Sequence, residues 1–403
     1  MPIELLSPAG NLEKLKFAVY YGADAVYFSY KDFGLRSGAV NFTIEEIETA
    51  MKFLHNRGKK GYITLNIYAQ NEDFKELERI IYKLVEVGVD AFIVSDPGII
   101  YLLKKLCVKK PIHLSTQANT TNINAVKFWE GHNIRRIILA RELSLKDIEI
   151  ICKNTSAEIE VFVHGAMCIS YSGRCYLSNY MTKRDANRGE CSHPCRWKYF
   201  LVEETREEEF FEVTEDKHGS YILNSKDLCL IDYIAKLKDA GVKSFKIEGR
   251  MKSIFYTSLV TATYRQAIDA LYKNNSYFES IGKFKEVLSL VSNRGYTNAF
   301  IDGTNDDTIN ISSSKYIREG DFIGYLENNS NDIFLHCRAK AEEGDELTIY
   351  MPDLEERTFK LEGCINYKNG ERISILKPNE KYVISLPYKI KDFSLVLRKY
   401  DVR

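Results

Sequence analysis

The chain has 403 residues, of which 45% are hydrophobic and 28% are charged, and this composition is that of a folded globular protein and excludes a disordered one. Lys+Arg and Asp+Glu are equal at 56 each, so any contact with RNA must come from a local basic patch and not from the overall charge. No run approaches the ~20 apolar residues of a membrane helix and no secretion signal is recognisable, so we expect a cytoplasmic protein without membrane contact.

Short apolar runs predict the strands of a parallel sheet, and amphipathic segments lie between them. In chain order the runs are Glu4–Leu6, Ala25–Phe28, Tyr62–Leu65, Ala91–Val94, Ile112–Ser115, Arg136–Leu139, Glu160–Val163 and Ser244–Ile247. Between the second and third runs, Thr43 and Glu46 form a capping-box pattern at the start of a helix. Eight strands that alternate with helices predict a (β/α)8 TIM-type barrel in preference to an open doubly wound sheet.

The connection between the last two runs is unusually long, at about eighty residues, and long insertions in compact domains usually carry function. We expect a barrel domain over residues 1–300, with an insertion at about 165–224 that contains a cysteine cluster and then a β-hairpin at 199–223. A helix from Ser253 to Tyr272 follows. From about Ile311, short alternating runs predict a small β-barrel as a second domain over 311–403.

Polar residues that follow the predicted strands are the candidates for a binding site, because the carboxyl ends of barrel strands build the active site. The strongest are Gln117, Arg141, His164, Glu248 and Arg250. The planar guanidinium of Arg250 suits bidentate binding of a carboxylate. Glu248 and Arg250 could equally form an ion pair that fixes their own loop.

Four of the nine cysteines, Cys168, Cys175, Cys191 and Cys195, fall in one glycine-containing loop after the seventh run. Four thiolates satisfy either a [4Fe–4S] cluster or a tetrahedral zinc ion, and the spacing does not separate the two. The C-x2-C pairs usual for structural zinc are absent. Four buried reduced thiols are the plain alternative.

A peptidase is a competing interpretation, since His164 and Cys168 stand four residues apart and could form a thiolate–imidazole pair. Neither a G-x-S-x-G elbow nor an H-E-x-x-H helix supports it. A zinc-stabilised binding module is a third possibility.

A basic stretch beside the cysteines contains Lys183, Arg184, Arg188 and Arg196, with tyrosines interspersed. Cations among aromatic side chains hold phosphates and stack on bases, which predicts an RNA contact. A solvated surface is the simpler alternative, because Asp185 and Glu190 dilute the charge.

The run E-x-F-x-x-G-A-M-C (160–168), followed by G-x-C-x-L-S (173–178), resembles the signature of the U32 family, historically called collagenase-like peptidases. The similarity extends through SPAG (7–10), STQAN (115–119), ANRGECSHPCRW (186–197) and KIEGRMKS (246–253). The resemblance implies that the four clustered cysteines are the ligands of a [4Fe–4S] cluster.

Within the family, the chain is most similar to the branch that converts the wobble uridine of tRNA to 5-hydroxyuridine, with prephenate and without molecular oxygen. The resemblance implies prephenate carboxylates near Arg141 or Arg250 and a target base flipped out of the anticodon region of tRNA. Some members act with a paralogous U32 chain, so such a partner is an open possibility. Hydroxylation of another RNA base or of a ubiquinone precursor, and collagenase-like peptidase activity, remain alternatives.

Overall fold

A computed structural model describes residues 2–31, 33, 41–168, 170–197, 225–273, 277–303, 308, 316–329 and 332–400. The chain divides into two compact units. The first comprises Met1–Val19, Ala23–Lys252 and Asn293–Tyr316, and the second comprises Tyr20–Gly22, Ser253–Ser292 and Ile317–Arg403. The hairpin predicted at 199–223 lies outside the described residues. Within those residues, no helix combines the length and the apolar character needed to cross a membrane.

The first unit is built on a barrel of parallel strands. Its strands are β1 (Glu4–Pro8), β2 (Ala25–Ser29), β3 (Lys60–Leu65), β4 (Ala91–Val94), β5 (Ile112–Leu114), β6 (Arg136–Ile138), β7 (Glu158–Ala166), β8 (Asp227–Cys229) and β9 (Ser244–Ile247). Its helices are α1 (Leu12–Tyr20), α2 (Ile44–His55), α3 (Phe74–Glu86), α4 (Pro97–Lys105), α5 (Ile123–Gly131), α6 (Leu145–Lys153), α7 (Leu177–Thr182) and α8 (Ile234–Ala240).

The barrel closes through eight parallel strands. Each strand from β1 to β7 pairs with the next, and β9 pairs with both β1 and β7. Every residue of β2 and β4 is buried, as expected for strands with the barrel interior on one side and helices on the other. The TIM-type barrel predicted from the sequence is therefore confirmed.

Local sequence signals set the helix starts. Thr43 caps α2 by accepting from the backbone N–H of Glu46, and the Glu46 side chain accepts from the backbone N–H of Thr43. Asp96 caps α4 by accepting from Gly98 and Ile99. Both arrangements satisfy backbone N–H groups that have no partner within their helix.

Strand β7 is longer than its neighbours and positions the cysteine region. Its pairing with β9 shifts register between Phe162 and His164, which is a β-bulge. Beyond the bulge, β8 pairs antiparallel with residues 164–166, and the short strand β10 (Tyr296–Thr297) pairs in parallel with β8. The buried Arg294 holds β8 through the Asp227 carboxylate, with 3.0 Å from Nε to Oδ1.

The second unit contains two helices and an antiparallel half-barrel. The helices are α9 (Ile254–Tyr272), capped by Ser253, and α10 (Tyr277–Ser289). The strands are β11 (Gly320–Asn329), β12 (Asp332–Cys337), β13 (Ala341–Glu342), β14 (Glu346–Tyr350), β15 (Glu356–Lys360), β16 (Cys364–Asn366), β17 (Arg372–Ile373), β18 (Ile375–Leu376), β19 (Lys381–Ile384) and β20 (Leu395–Lys399).

Eight of these strands form one sheet in the order β15-β14-β20-β11-β12-β19-β16-β17, and β13 pairs with β18. Buried aliphatic residues such as Leu326, Leu335 and Ile349 form its core. The small β domain is confirmed. Helices α9 and α10, which the sequence placed with the barrel domain, belong to the second unit.

Candidate functional site

A cavity of about 140 Å³ lies at the carboxyl ends of the barrel strands. Strand-end residues form part of its wall, and the segment 167–197, here termed the cysteine loop, forms the rest. The loop leaves the barrel directly from the extended end of β7. The site therefore lies where the (β/α)8 architecture places active sites.

All four clustered cysteines border this cavity. Cys175 is buried, Cys191 and Cys195 are half-buried, and Cys168 is exposed. Four thiols on one wall are the donor chemistry that an iron–sulfur cluster or zinc requires. In the part of the chain that the structure describes, no three His, Cys, Asp or Glu side chains are grouped closely enough to hold a metal ion. The cysteines thus share a wall without forming a closed coordination shell.

The backbone of the cysteine loop relies on glycine at two tight turns. Gly173 and Gly189 have φ values of +82° and +96°, a region in which a side chain would be strained. At Gly173 there is also little room, because an added Cβ would lie 3.0 Å from the Gln117 amide nitrogen. These glycines let the loop turn tightly beside the cavity.

Glu142, four residues after the end of β6, fixes the first turn of the loop. Its carboxylate accepts hydrogen bonds from the backbone N–H of Ser172 at 2.5 Å and from the Ser172 hydroxyl at 2.7 Å. Ser172 is buried and has a φ of +45°. The carboxylate therefore stabilises a backbone conformation that serine rarely adopts.

Arg188 fixes the second half of the loop to the barrel. It donates to both carboxylate oxygens of Asp73, at 2.8 and 3.1 Å, and to the carbonyl of Tyr68 at 3.1 Å. The hydrogen bond with Arg188 holds the pKa of Asp73 below its ordinary value. Arg188 was predicted to contact RNA, and here its guanidinium is used in this ion pair.

The other predicted RNA contacts differ in exposure. Lys183 and Arg184 are exposed on the loop. Arg196 lies in a 3₁₀ turn, Pro194–Arg196, and its side chain is outside the description. Lys183 and Arg184 are thus available to a phosphate backbone, and the predicted contact itself stays a prediction.

The two predicted carboxylate-binding arginines both border the cavity. Arg141 donates to the carbonyl of Ala166 at 2.6 Å and lies 3.9 Å above the Phe162 ring. Arg250 is buried and donates to the hydroxyls of Ser29 and Thr64. The structure therefore brings both cations to one site from strand ends far apart in the sequence.

Gln117 and Glu248 also border the cavity. The Glu248 carboxylate accepts from the Tyr27 hydroxyl at 3.2 Å. The amide oxygens of Gln117 and of Asn66, another lining residue, are buried and have no hydrogen-bond partner among the described residues. Buried acceptors in this state favour a ligand that brings N–H or O–H donors.

His164 is placed differently from the other predicted residues. It is buried within β7, packs against Tyr296 with 5.3 Å between ring centroids, and is not among the residues that line the cavity. Burial lowers the pKa of His164 to about 3, so the imidazole is neutral at physiological pH. The geometry gives no support to substrate contact by His164.

Sequence reasoning missed Lys246 and its neighbours. Lys246, in the middle of β9, borders the cavity and forms an ion pair with Glu160 at 3.2 Å. Arg136 donates to the same carboxylate at 3.1 Å. Burial acts to raise the pKa of Glu160, but Lys246 and Arg136 hold it below the ordinary value. A charged residue inside an apolar run was the one available signal.

Comparisons with known proteins show the family of this chain. The family model described as peptidase family U32 matches residues 10–310. "tRNA hydroxylation protein P1" of Bacillus subtilis is 41% identical over 96% of this chain and 92% of the relative.

Two further relatives carry different names. "23S rRNA 5-hydroxycytidine C2501 synthase" of Escherichia coli is 37% identical over 78% of this chain and 48% of the relative. "Collagenase" of Porphyromonas gingivalis is 31% identical over 94% of this chain and 96% of the relative. The chain belongs to peptidase family U32, because the family model matches most of the barrel and a relative is more than 40% identical along nearly the whole length.

Proposed function

We propose that this protein hydroxylates a base of tRNA, and specifically that it converts the wobble uridine to 5-hydroxyuridine with prephenate as co-substrate. The observation that carries the proposal is the single cavity in which four cysteines and the cations Arg141, Lys246 and Arg250 meet. The tRNA hydroxylation relative matches over nearly all of both chains, whereas the rRNA enzyme matches over less than half of its own length. This contrast favours tRNA.

The cysteine wall would hold a [4Fe–4S] cluster through Cys168, Cys175, Cys191 and Cys195, and the cluster would supply redox chemistry beside the substrate. The protein's own part is to hold the loop in place. Glu142 and Arg188 do this through two separate contacts, with Ser172 and with Asp73.

The strand-end residues of the cavity wall would bind the two organic substrates. Arg141 and Arg250 offer guanidinium donors to carboxylates, which suits an acidic co-substrate such as prephenate. The amide oxygens of Asn66 and Gln117, which have no hydrogen-bond partner in the described part of the chain, are acceptors for the imide N–H of a uracil ring. A base reaches such a site only after it is flipped out of its stack, which favours a nucleotide in the anticodon loop.

Lys183 and Arg184, both exposed on the cysteine loop, would contact the tRNA backbone, because phosphate contacts position a nucleic acid without reading its sequence. A tRNA substrate places the reaction in the cytoplasm. A paralogous U32 chain is a further proposed partner.

Complementation of a deletion strain tests the proposal. Total tRNA is digested and 5-hydroxyuridine-derived nucleosides are measured by mass spectrometry in strains that carry the wild type, Arg141→Ala or Arg250→Ala. Arg79→Ala, on the exposed face of α3, is the matched control. We expect the two cavity variants to lose most of the nucleoside and the control to restore it.

Full restoration by both Arg141→Ala and Arg250→Ala would contradict the proposed binding site. The same strains and purified proteins also test the competing functions. Their readouts are modified cytidine in rRNA, changed levels of ubiquinone precursors, and cleavage of gelatin. If one of these activities depends on the protein while the level of 5-hydroxyuridine in tRNA does not, that activity would replace the proposed function.

A further inference from the structure

Lys246 lies at an unusual place for a lysine. Lys246 belongs to the barrel strand β9 and borders the cavity, and its side chain is only 3% exposed. A buried ammonium is costly unless it is paired. Two roles are compatible with this burial: a charge that only stabilises the barrel interior, or a charge held ready for a ligand.

Lys246 has one carboxylate and two aromatic rings close to its ammonium group. Glu160, which is fully buried, lies 3.2 Å from the ammonium nitrogen. The Tyr27 and Phe162 rings lie with their centroids 4.4 and 5.3 Å from it. An ammonium has three N–H donors, and Glu160 is its one ion-pair partner in the part of the chain that the structure describes.

Glu160 is not dependent on Lys246 alone. It also accepts from Arg136 at 3.1 Å, and Arg136 in turn pairs with Glu4 and Glu158. Of these five charged side chains, only Lys246 borders the cavity. The buried charge network therefore meets the cavity at a single cationic group.

Lys246 and Arg141 face the same aromatic ring. The guanidinium carbon of Arg141 lies 3.9 Å and the Lys246 nitrogen 5.3 Å from the Phe162 centroid, so the two charges are at most about 9 Å apart. A compact molecule with two carboxylates can contact both cations.

We propose that Lys246 is a substrate-binding residue whose ammonium binds one carboxylate of a small dicarboxylate, while Arg141 or Arg250 binds the other. The inference rests on the proposed function, because it takes the acidic co-substrate to be the ligand. Glu160 is then a positioning residue: it holds the ammonium at the cavity without entering it.

Direct binding of prephenate, measured by calorimetry on the anaerobically purified full-length protein, tests the inference without relying on turnover. The variants are Glu160→Gln and the double variant Glu160→Gln/Lys246→Met, which removes the lysine charge without leaving the Glu160 carboxylate alone in the interior. Thermal unfolding verifies that both fold. Lys52→Met, on the exposed face of α2, is the control for loss of a lysine.

Charge-assisted hydrogen bonds are worth about one to two powers of ten in affinity. We expect the double variant to bind prephenate about 10- to 100-fold more weakly than the wild type, with Lys246→Arg in the Glu160→Gln background recovering part of the loss. The KM for prephenate should rise by a similar factor, with a smaller change in kcat.

An affinity of the double variant for prephenate that equals that of the wild type would overturn the role of Lys246 and leave the proposed function intact. A wild type that modifies tRNA but binds no prephenate would overturn the co-substrate and this inference together.

Discussion

Replacing Glu142 with alanine removes the acceptor that holds the turn at Ser172. Two hydrogen bonds are lost, at 2.5 and 2.7 Å, and both go to a carboxylate. Hydrogen bonds to charged groups contribute about 1.5–3 kcal/mol each. Two of them therefore stabilise the closed turn by at least about 3 kcal/mol. Because 1.4 kcal/mol is a factor of ten, local opening of this turn should increase about 100-fold.

Hydrogen exchange of a peptide that covers residues 170–176 measures this opening. The exposed Glu149 on α6 provides the matched control as Glu149→Ala, and Glu142→Gln, which keeps one amide oxygen as acceptor, should show a smaller effect. We also expect Glu142→Ala to retain less iron after anaerobic purification, since the same turn carries the chain from Cys168 to Cys175. Exchange in Glu142→Ala as slow as in the wild type would refute the reasoning.

Three further predictions follow from single contacts. The pKa of His164 is about 3 in the folded protein and about 6.5 when unfolded. Between about pH 3 and about pH 6.5 the unfolded chain therefore binds one more proton at this residue than the folded chain. The free energy of unfolding should fall as the pH drops below about 6.5. Denaturant unfolding should show that the free energy of unfolding is about 2 kcal/mol lower at pH 5 than at pH 7, and this difference should be absent in His164→Gln. An equal difference in the variant would show that another group is responsible. In Gly10→Ala, the new Cβ would clash with the Arg250 carbonyl oxygen. We therefore expect a free energy of unfolding about 1–3 kcal/mol lower, together with weaker prephenate binding. Gly131→Ala is the control and should be tolerated, because its new Cβ meets nothing within 4 Å. Burial lowers the pKa of Lys246, and prephenate affinity should therefore decline at a lower pH than the titration of an ordinary lysine near 10.4; affinity that is constant up to that pH would count against a lysine contact.

The barrel was predictable because its strands are buried on both faces and read as short apolar runs. Helix starts were predictable where a cap is encoded locally, as at Thr43. Strands β8 and β10 were not found, since three and two residues carry too little pattern and their pairing is set by the extension of β7.

The site was only partly predictable from position along the chain. Arg141 and Arg250 were found because they follow strands. His164 follows the predicted end of the seventh strand, but the strand in the structure continues through a bulge to Ala166, and this side chain is buried within it and does not line the cavity. The ion pair of Arg188 with Asp73 joins residues 115 positions apart, and no local pattern reports such a partner.

Lys246 and Glu160 were overlooked for a related reason. Lys246 is the one charge of β9 and Glu160 is one of two acidic residues of β7, and a sequence does not say whether such a charge faces a helix, the barrel interior or a cavity. The pairing of β7 with β9 sets Glu160 opposite Ser244 and Phe162 opposite Lys246, and this register brings the two charges together.

Anaerobic purification with iron and sulfide analysis and a visible spectrum tests the central claim, that the cysteine wall holds an iron–sulfur cluster. The comparison is between the wild type, Cys175→Ala and Cys107→Ala, since Cys107 is exposed and outside the cavity lining. The account predicts a brown protein with about four irons per chain, retained in Cys107→Ala and lost in Cys175→Ala. A colourless wild type that carries zinc, or a Cys175→Ala protein that keeps its full iron and colour, would contradict it.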